Sequence, residues 1–532
     1  MTAIDIVIVG SGPSGVMAAE GFLSAGLSVC MLDAGFESEF SQAPALPFAQ
    51  LRETAFVKNA LMTEQSKMAE QSGAQLTPFR AHTIQNVDKY LPIESATFFP
   101  LQSLAKGGLS ASWGAAAFTY DNGELQKMGL PNLREYYQSV SDKIGISGPG
   151  SSDACNIDNK QPGLNIDDNA AKIWQRYQQK SDFFQKKGLS LEPASLAVLS
   201  EAKDGRQPNP YHDTDFWNNP GNNVFRADFW VDRLVAKYPH FHYKSGCLAK
   251  AFEPIEQGQQ DQDKNSVKVI YQNLQSNKTE HLTAKKLILC AGAINSYRIS
   301  AQSLGHIGQK NPILCNPYRM VSTIHLPMLG HIGNDRRYSL AQLFGLLAAE
   351  RGTDPLSLQF YSYRSLMLYR LILQTPLPQW AARLWWRALV ESLVIVGVHY
   401  PASFDGGTWV QLKDTLKIVY AEAKLTPPWQ LGRLLLKLRC VPIGLVNNRP
   451  GASIHYAGTL PNAMSIPNFK EALTTTGEDV HLAGCPNVHV LDSSSWRFLP
   501  AKGLTFTLMA NSLRLAEMIA SKMGGRKPGF RE

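Results

Sequence analysis

The chain has 532 residues, of which 44% are hydrophobic and 18% charged, and a net charge of +8. This length and composition exclude a collagen-like, a wholly disordered or a disulfide-scaffold chain and leave room for roughly two to four domains with a large core. The basic excess is small and contains no long Lys/Arg run, so it does not point to nucleic acid, while an anionic surface or substrate stays compatible with it.

The chain opens on MTAIDIVIVG, which lacks a basic leader and a cleavage site and reads as a first β-strand over Ile4 to Val9. Ser14 to Leu27 has helical spacing, with Val16, Met17, Ala19, Phe22 and Leu23 apolar, and Leu27 to Leu32 is a second short apolar run closed by Asp33. This β-α-β order within about 30 residues is the first half of a Rossmann unit. Residues 40–100 read as connecting structure, and KGGLSASWGAAAF (Lys106 to Phe118) is a Gly/Ser-rich turn segment. Residues 150–225 are polar and read as a surface excursion, with Ser200 to Asn223 as loop. Strand patterns return over His240 to Leu248, Val267 to Gln272 and Lys286 to Cys290, and EQGQQDQDKN (Glu256 to Asn265) reads as a solvated hairpin tip. Residues 315–450 are dominated by Leu, Trp, Tyr and Arg, and Pro486 to Ser521 reads strand, turn, helix.

Gly10, Gly12 and Gly15 fit G-x-G-x-x-G, with Ser14 inside the motif. The first glycine makes the tight turn, the second admits a pyrophosphate to the backbone, and the third lets helix and strand pack closely. Phosphates would rest on the helix N-terminus. Asp33 lies 18 residues after Gly15, in register for a ribose hydroxyl pair. The motif alone leaves FAD and NAD open. LILCAGAINS (Leu287 to Ser296) reads as a buried strand running into a small-residue turn. The helix beginning at Thr505 would, if aimed at a flavin ring, stabilise negative charge on the reduced ring.

Four blocks in order, GSGPSG with Asp33, GGLSASWGAA, ILCAGAINS, and HYAGTLP followed by VHVLDSSSW and TFTLMA, resemble the glucose–methanol–choline (GMC) oxidoreductase family. The resemblance covers the ends and middle of the chain and is weak over 315–450. It implies FAD as cofactor and a fold of class α/β: a discontinuous Rossmann-type FAD-binding domain (1–125, 225–315, 450–532), an α+β substrate-binding or cap domain (316–449), and an excursion or substrate-side segment at 126–224. Carried over by position, Gly10, Gly12, Gly15 and Asp33 would hold the ADP half. Gly107, Gly108, Ser110 and Ser112 would lie along pyrophosphate and flavin, with Trp113 and Gly114 near the ring. Leu248 would meet the adenine, Ala291 and Gly292 the ADP moiety, and Asp492, Ser493 and Thr505 the flavin side.

The implied chemistry is hydride transfer from an alcohol carbon to flavin N5. It needs a base for the hydroxyl proton, a role that a neutral imidazole suits. His455 matches the family's active-site histidine by its own motif. The chain departs from the pattern where the family carries a second His or Asn: Gly503 falls there, with Lys502 beside it. Either Lys502 or Thr505 takes the role or the site works with one side chain. T-L-P-N also replaces the usual T-x-R-M after His455. The expected activity is oxidation of a CH–OH group in a sugar or other alcohol, by a dehydrogenase rather than an oxidase. A flavoenzyme without net redox chemistry and a non-enzymatic nucleotide-binding protein stay as alternatives.

The seven cysteines are scattered without a C-x-x-C pair, and His240 and His242 have no partner at metal spacing, so no metal site is predicted; a reducing, cytoplasmic setting fits. Residues 357–400 mix aromatic and aliphatic side chains with Arg364, Arg370, Arg383 and Arg387, and 427–440 repeats that texture. Pro376, Pro378 and Glu391 interrupt the first stretch, so neither stretch spans a bilayer. The two readings are a helical cap, or peripheral membrane contact serving a lipid-linked substrate.

Overall fold

The computed structural model describes residues 4–38, 78–212, 219–255, 266–331, 337–348, 354–362, 375–421, 429–462 and 468–526, with residues 215, 425 and 466. Strand β1 (Ile4–Val9), helix α1 (Pro13–Ser24) and strand β2 (Val29–Leu32) open the chain, and β1 and β2 run parallel. Ile6, Val7 and Ile8 are all buried, as a parallel strand covered on both faces requires. β3 (Phe241–Lys244) adds beside β2, and β4 (Cys247–Pro254), β5 (Val267–Asn273) and β6 (Thr279–Leu289) form an antiparallel run. The end of β6 returns parallel to β1 and leads into α2 (Ala293–Ser303). The EQGQQDQDKN stretch lies outside the described residues.

The chain then builds a second sheet from β7 (Tyr318–His325), β8 (Leu343–Leu347), β9 (Leu356–Ser362), β10 (Leu393–His399) and β11 (Cys440–Asn447). Helix α3 (Gln379–Leu389) precedes β10 and helix α4 (Trp429–Lys437) precedes β11. The sheet is antiparallel throughout, in the order β11-β7-β10-β9-β8, and the strand Leu189–Pro193 pairs with β8 at its far edge. The 150–225 stretch is therefore more than a surface excursion: within 126–224, on the side of the second sheet, it contributes a strand. The helix Asp168–Gln178 beside it buries Ile173 and Tyr177 in the same core. Polar composition misled because this strand is a half-buried edge, with only alternate residues apolar.

Finally β12 (Cys485–Val490) pairs parallel with β6, and α5 (Thr505–Lys522) packs along α1. A Cβ on Gly21 of α1 would stand 2.8 Å from the Ala516 methyl of α5, so only glycine permits this approach. The parallel strands run in the order β3-β2-β1-β6-β12. The direction of progression reverses between β1 and β6, and a ligand crevice forms beyond the carboxyl ends of strands at such a point. This is a Rossmann-type α/β fold with a second, antiparallel sheet domain.

The second sheet has two distinct faces. Val321, Leu358, Phe360, Val394, Val396 and Val398 point into a core with Leu434 and Leu435 of α4. The alternate residues Tyr318, Met320, Ser322, Gln359, Tyr361, Ile395 and His399 face a cavity shared with the first sheet.

Candidate active site

One cavity of about 730 Å³ runs from the β1–α1 turn to the second sheet. Gly10 (φ +98°) closes the turn after β1, and a Cβ there would lie 2.6 Å from the Cys290 carbonyl oxygen. A Cβ on Gly15 would collide with the Gly10 carbonyl oxygen. These two glycines let turn, helix and β6 close up. Gly12 has open space where a Cβ would stand, on the cavity wall. Gly12 and Ser14 at the start of α1, and Ala291 and Gly292 ahead of α2, bring two helix N-termini to the same wall. The α1 N-terminus favours an anion there, while the α2 N-terminus is held by the Asp492 carboxylate.

Asp33 is buried at the end of β2, where it accepts hydrogen bonds from Ser11 Oγ and, at 3.0 Å, from the Tyr243 hydroxyl. Burial pushes its carboxyl up to about 6 in spite of both donors. Ser11 Oγ in turn accepts the Gly107 N–H at 2.8 Å, tying the second glycine-rich segment to Asp33. Gly107 itself is off the cavity wall; its φ of +81° and the Asp228 backbone nitrogen 2.5 Å from a would-be Cβ make it a turn residue. Gly108, Ser110, Ser112, Trp113 and Gly114 do line the cavity. Their polar groups partly hold the loop: Ser110 Oγ donates to Gly107 O at 2.6 Å, Ser112 pairs with Thr83, and Trp113 Nε1 donates to Phe225 O at 2.7 Å. Leu248 lies on the wall near Ala34 and Leu104, and Gly15 lies behind it. Arg298 of α2, which the motifs did not single out, adds a guanidinium to the wall.

Asp492 also reaches the wall, yet both oxygens are engaged. Oδ2 accepts from Gly292 N at 2.9 Å and Ser296 Oγ at 2.5 Å, and Oδ1 accepts from Ser494 N and Oγ. It fastens the β6–α2 turn to β12. Ser493 Oγ donates to Tyr456 O at 2.7 Å and so anchors the strand beside His455. Thr505 opens α5, and Gly503, Leu504 and Thr505 place that helix's N-terminus on the cavity.

His455 lines the far part of the cavity, and its Nδ1 lies 3.1 Å from Asn316 Oδ1. Asn316 donates its amide to Tyr400 O (2.7 Å), Pro500 O (3.0 Å) and Leu499 O (3.3 Å), so its nitrogen is committed and its oxygen must face the histidine. His455 Nδ1 therefore carries the proton and Nε2 the lone pair. The preceding Ile454 holds φ +61°, a left-handed conformation that β-branched residues avoid, which fixes the backbone into His455. His399, from the end of β10, stacks on His455 at 5.3 Å between ring centroids and on Tyr318 at 4.4 Å. Its buried Nδ1 has no hydrogen-bond partner among the described residues. Burial lowers His455 to about 4 and holds His399 well below the ordinary imidazole range, with the His455 charge opposing it further.

Sequence reasoning did not single out His399. It stands 56 residues before His455, at the end of an alternating apolar strand with no motif around it. The second-histidine position held by Gly503 does lie on the cavity, where a Cβ would press on Phe118 at 3.3 Å. Lys502 does not stand in for it. Its Nζ is off the cavity, donating to Glu124 Oε2 at 2.7 Å and Thr119 O at 3.2 Å, with both side chains of the pair buried.

No protein-family model matches this sequence, and no curated protein matches it. Among solved structures, the chain is similar to pyridoxine 4-oxidase from Mesorbium loti, with a TM-score of 0.52 and 13% identity over 97% of this chain and 99% of that one. The two chains share a fold. No described helix is long and apolar enough to cross a membrane.

Proposed function

We propose that this protein is an FAD-dependent oxidoreductase of GMC type that oxidises a CH–OH group. The observation that carries the reading is that one cavity joins a dinucleotide cradle to a pair of neutral imidazoles. The likeness of fold to an enzyme named as a 4-oxidase of pyridoxine supports it. The cradle fits FAD: Gly12 leaves open space at the α1 N-terminus for a pyrophosphate, and Asp33 suits a ribose. The segment Gly108–Gly114 and the start of α5 line the same cavity. When bound, FAD supplies the hydride acceptor.

The chain's own residues supply the rest. His455 Nε2 accepts the hydroxyl proton as the carbonyl forms. Asn316 keeps the tautomer that leaves this lone pair available. His399 lines the cavity beside this base, with its ring stacked on His455. A base of low resting pKa suffices, because the hydroxyl becomes strongly acidic as hydride leaves. The α5 N-terminus stabilises negative charge that develops beside it.

The deciding experiment is anaerobic mixing of the yellow holoenzyme with a panel of alcohols. Bleaching of the flavin band is expected; a spectrum unchanged by every alcohol, in protein that retains flavin, would leave a flavoenzyme without net redox chemistry. Mixing the reduced enzyme with oxygen or with an artificial acceptor then distinguishes oxidase from dehydrogenase. The pH profile is a second check. Since the neutral imidazole is the active form and His455 is lowered to about 4, the reduction rate should hold its plateau below pH 6 and fall only toward pH 4. A limb at the ordinary imidazole value would remove the buried pair from the reaction. Asp33→Asn should weaken flavin retention roughly 10- to 100-fold, the worth of a charge-assisted hydrogen bond of about 1.5–3 kcal/mol, measured by flavin titration into the apoprotein.

A further inference from the structure

The second sheet carries an apolar path and an exposed surface that dinucleotide binding leaves unused. From the imidazole pair, the cavity wall follows the sheet through Tyr361 and Met320 to Ser322 and Ile395, with Val446 of β11 alongside. Ile395 lies four residues from His399 on β10, roughly 13 Å at about 3.3 Å per residue. Beyond that end of β7 and β10 lie the short 3₁₀ turn Leu326–Met328 and helix α3. The Arg337–Glu391 ion pair at 2.8 Å buries the base of α3. The helix itself stands out: Trp380 is 69%, Leu384 60% and Trp385 57% exposed.

These elements are joined through one turn. Leu326 N donates to Arg439 O just after α4, and Gly330 N donates to Ala388 O of α3, so this turn bridges the ends of both helices. Leu326 and Leu329 are exposed on the bridge, and Trp429 at the start of α4 is 77% exposed. Neither helix contains an acidic residue, while Arg383, Arg387, Arg433, Lys437 and the adjacent Arg439 are all exposed. Trp and Leu interleaved with Arg and Lys suit the boundary between headgroup and acyl chain of an anionic bilayer, where indole and guanidinium groups meet both phases.

We propose that this face docks the enzyme on anionic membranes, and that its substrate is an amphiphilic alcohol drawn from the bilayer. The hydroxyl would reach His455, and the tail would lie along Met320, Ile395 and Val446. The substrate clause rests on the oxidoreductase reading above; the docking clause does not.

The test is co-sedimentation of the holoenzyme with phosphatidylcholine vesicles containing or lacking phosphatidylglycerol, with Trp380→Ala/Leu384→Ala/Trp385→Ala and Arg383→Glu/Arg387→Glu as variants. The parent should pellet with anionic vesicles and be released by high salt. Each variant should partition at least tenfold less while keeping its flavin content and its rate on a short soluble alcohol. A parent that stays in the supernatant, variants that bind like the parent, or a solution dimer that the triple variant dissociates would each overturn docking. In a second arm, kcat/KM should rise about fourfold per added methylene over a series of linear alcohols, and a flat series would overturn the substrate assignment. Vesicle binding needs no turnover, so its loss with bleaching intact overturns only the docking, and loss of bleaching with vesicle binding intact overturns only the activity.

Discussion

His455→Ala is expected to slow flavin reduction by alcohol about 10²- to 10⁴-fold, the usual worth of a positioned acid–base group, in protein that still folds and stays yellow. The selectivity follows from where the ring sits. His455 lines the cavity and hydrogen-bonds through one nitrogen to Asn316, so its removal leaves the first sheet and the dinucleotide cradle untouched. Stopped-flow reduction reads the effect. If His455→Ala reduces its flavin at the parent rate, the proton goes elsewhere, and His399→Ala becomes the variant that must fail.

Lys502→Met is the second large effect, and its sign separates two roles for this residue. The lysine is paired with Glu124 at 2.7 Å, and both side chains are buried. Among the described residues, Glu124 also accepts from the Asp121 backbone N–H, in the capping box that opens the helix Asn122–Met128. Burial raises the Glu124 carboxyl even with Lys502 opposing. Removing the cation alone leaves a buried carboxylate that must protonate or drag in water, at about 3–5 kcal/mol of folding stability. Denaturant titration should show the loss. The double variant Glu124→Gln/Lys502→Met, which removes both charges, should recover most of it. A lysine that served the chemistry would behave in the opposite way, with activity lost at unchanged stability and no rescue from Glu124→Gln.

Much of the first sheet was legible because its signals are local. A strand ending at Gly10, a helix from Pro13 and an acid closing β2 lie within one β-α-β unit, where each glycine answers a steric need of its immediate neighbours. The same holds for the β6–α2 turn and for the strand, loop and helix that end the described chain. The edge strand Leu189–Pro193 was not legible, since its pairing with β8 joins residues some 150 positions apart that carry only weak alternation. His399 and Asn316 were missed for a related reason. Neither sits in a motif, and the role proposed for each comes from a neighbour brought in by strand pairing. Lys502 was misread in the other direction: proximity in sequence to a site position says nothing about which way a side chain turns, and a carboxylate from the 120s captured it.

The amino-acid order by itself determined the nucleotide half, because a phosphate cradle is built from backbone turns whose glycines and flanking periodicity are written consecutively. It also marked His455 and the aromatic, arginine-bearing stretches. Only the tertiary structure decided that a second imidazole stacks on the first, that an asparagine settles its tautomer, and that one turn joins the ends of the two helices bearing exposed aromatics. Those arrangements depend on the register of an antiparallel sheet, where the partners of a residue are set by long-range packing and not by its neighbours along the chain.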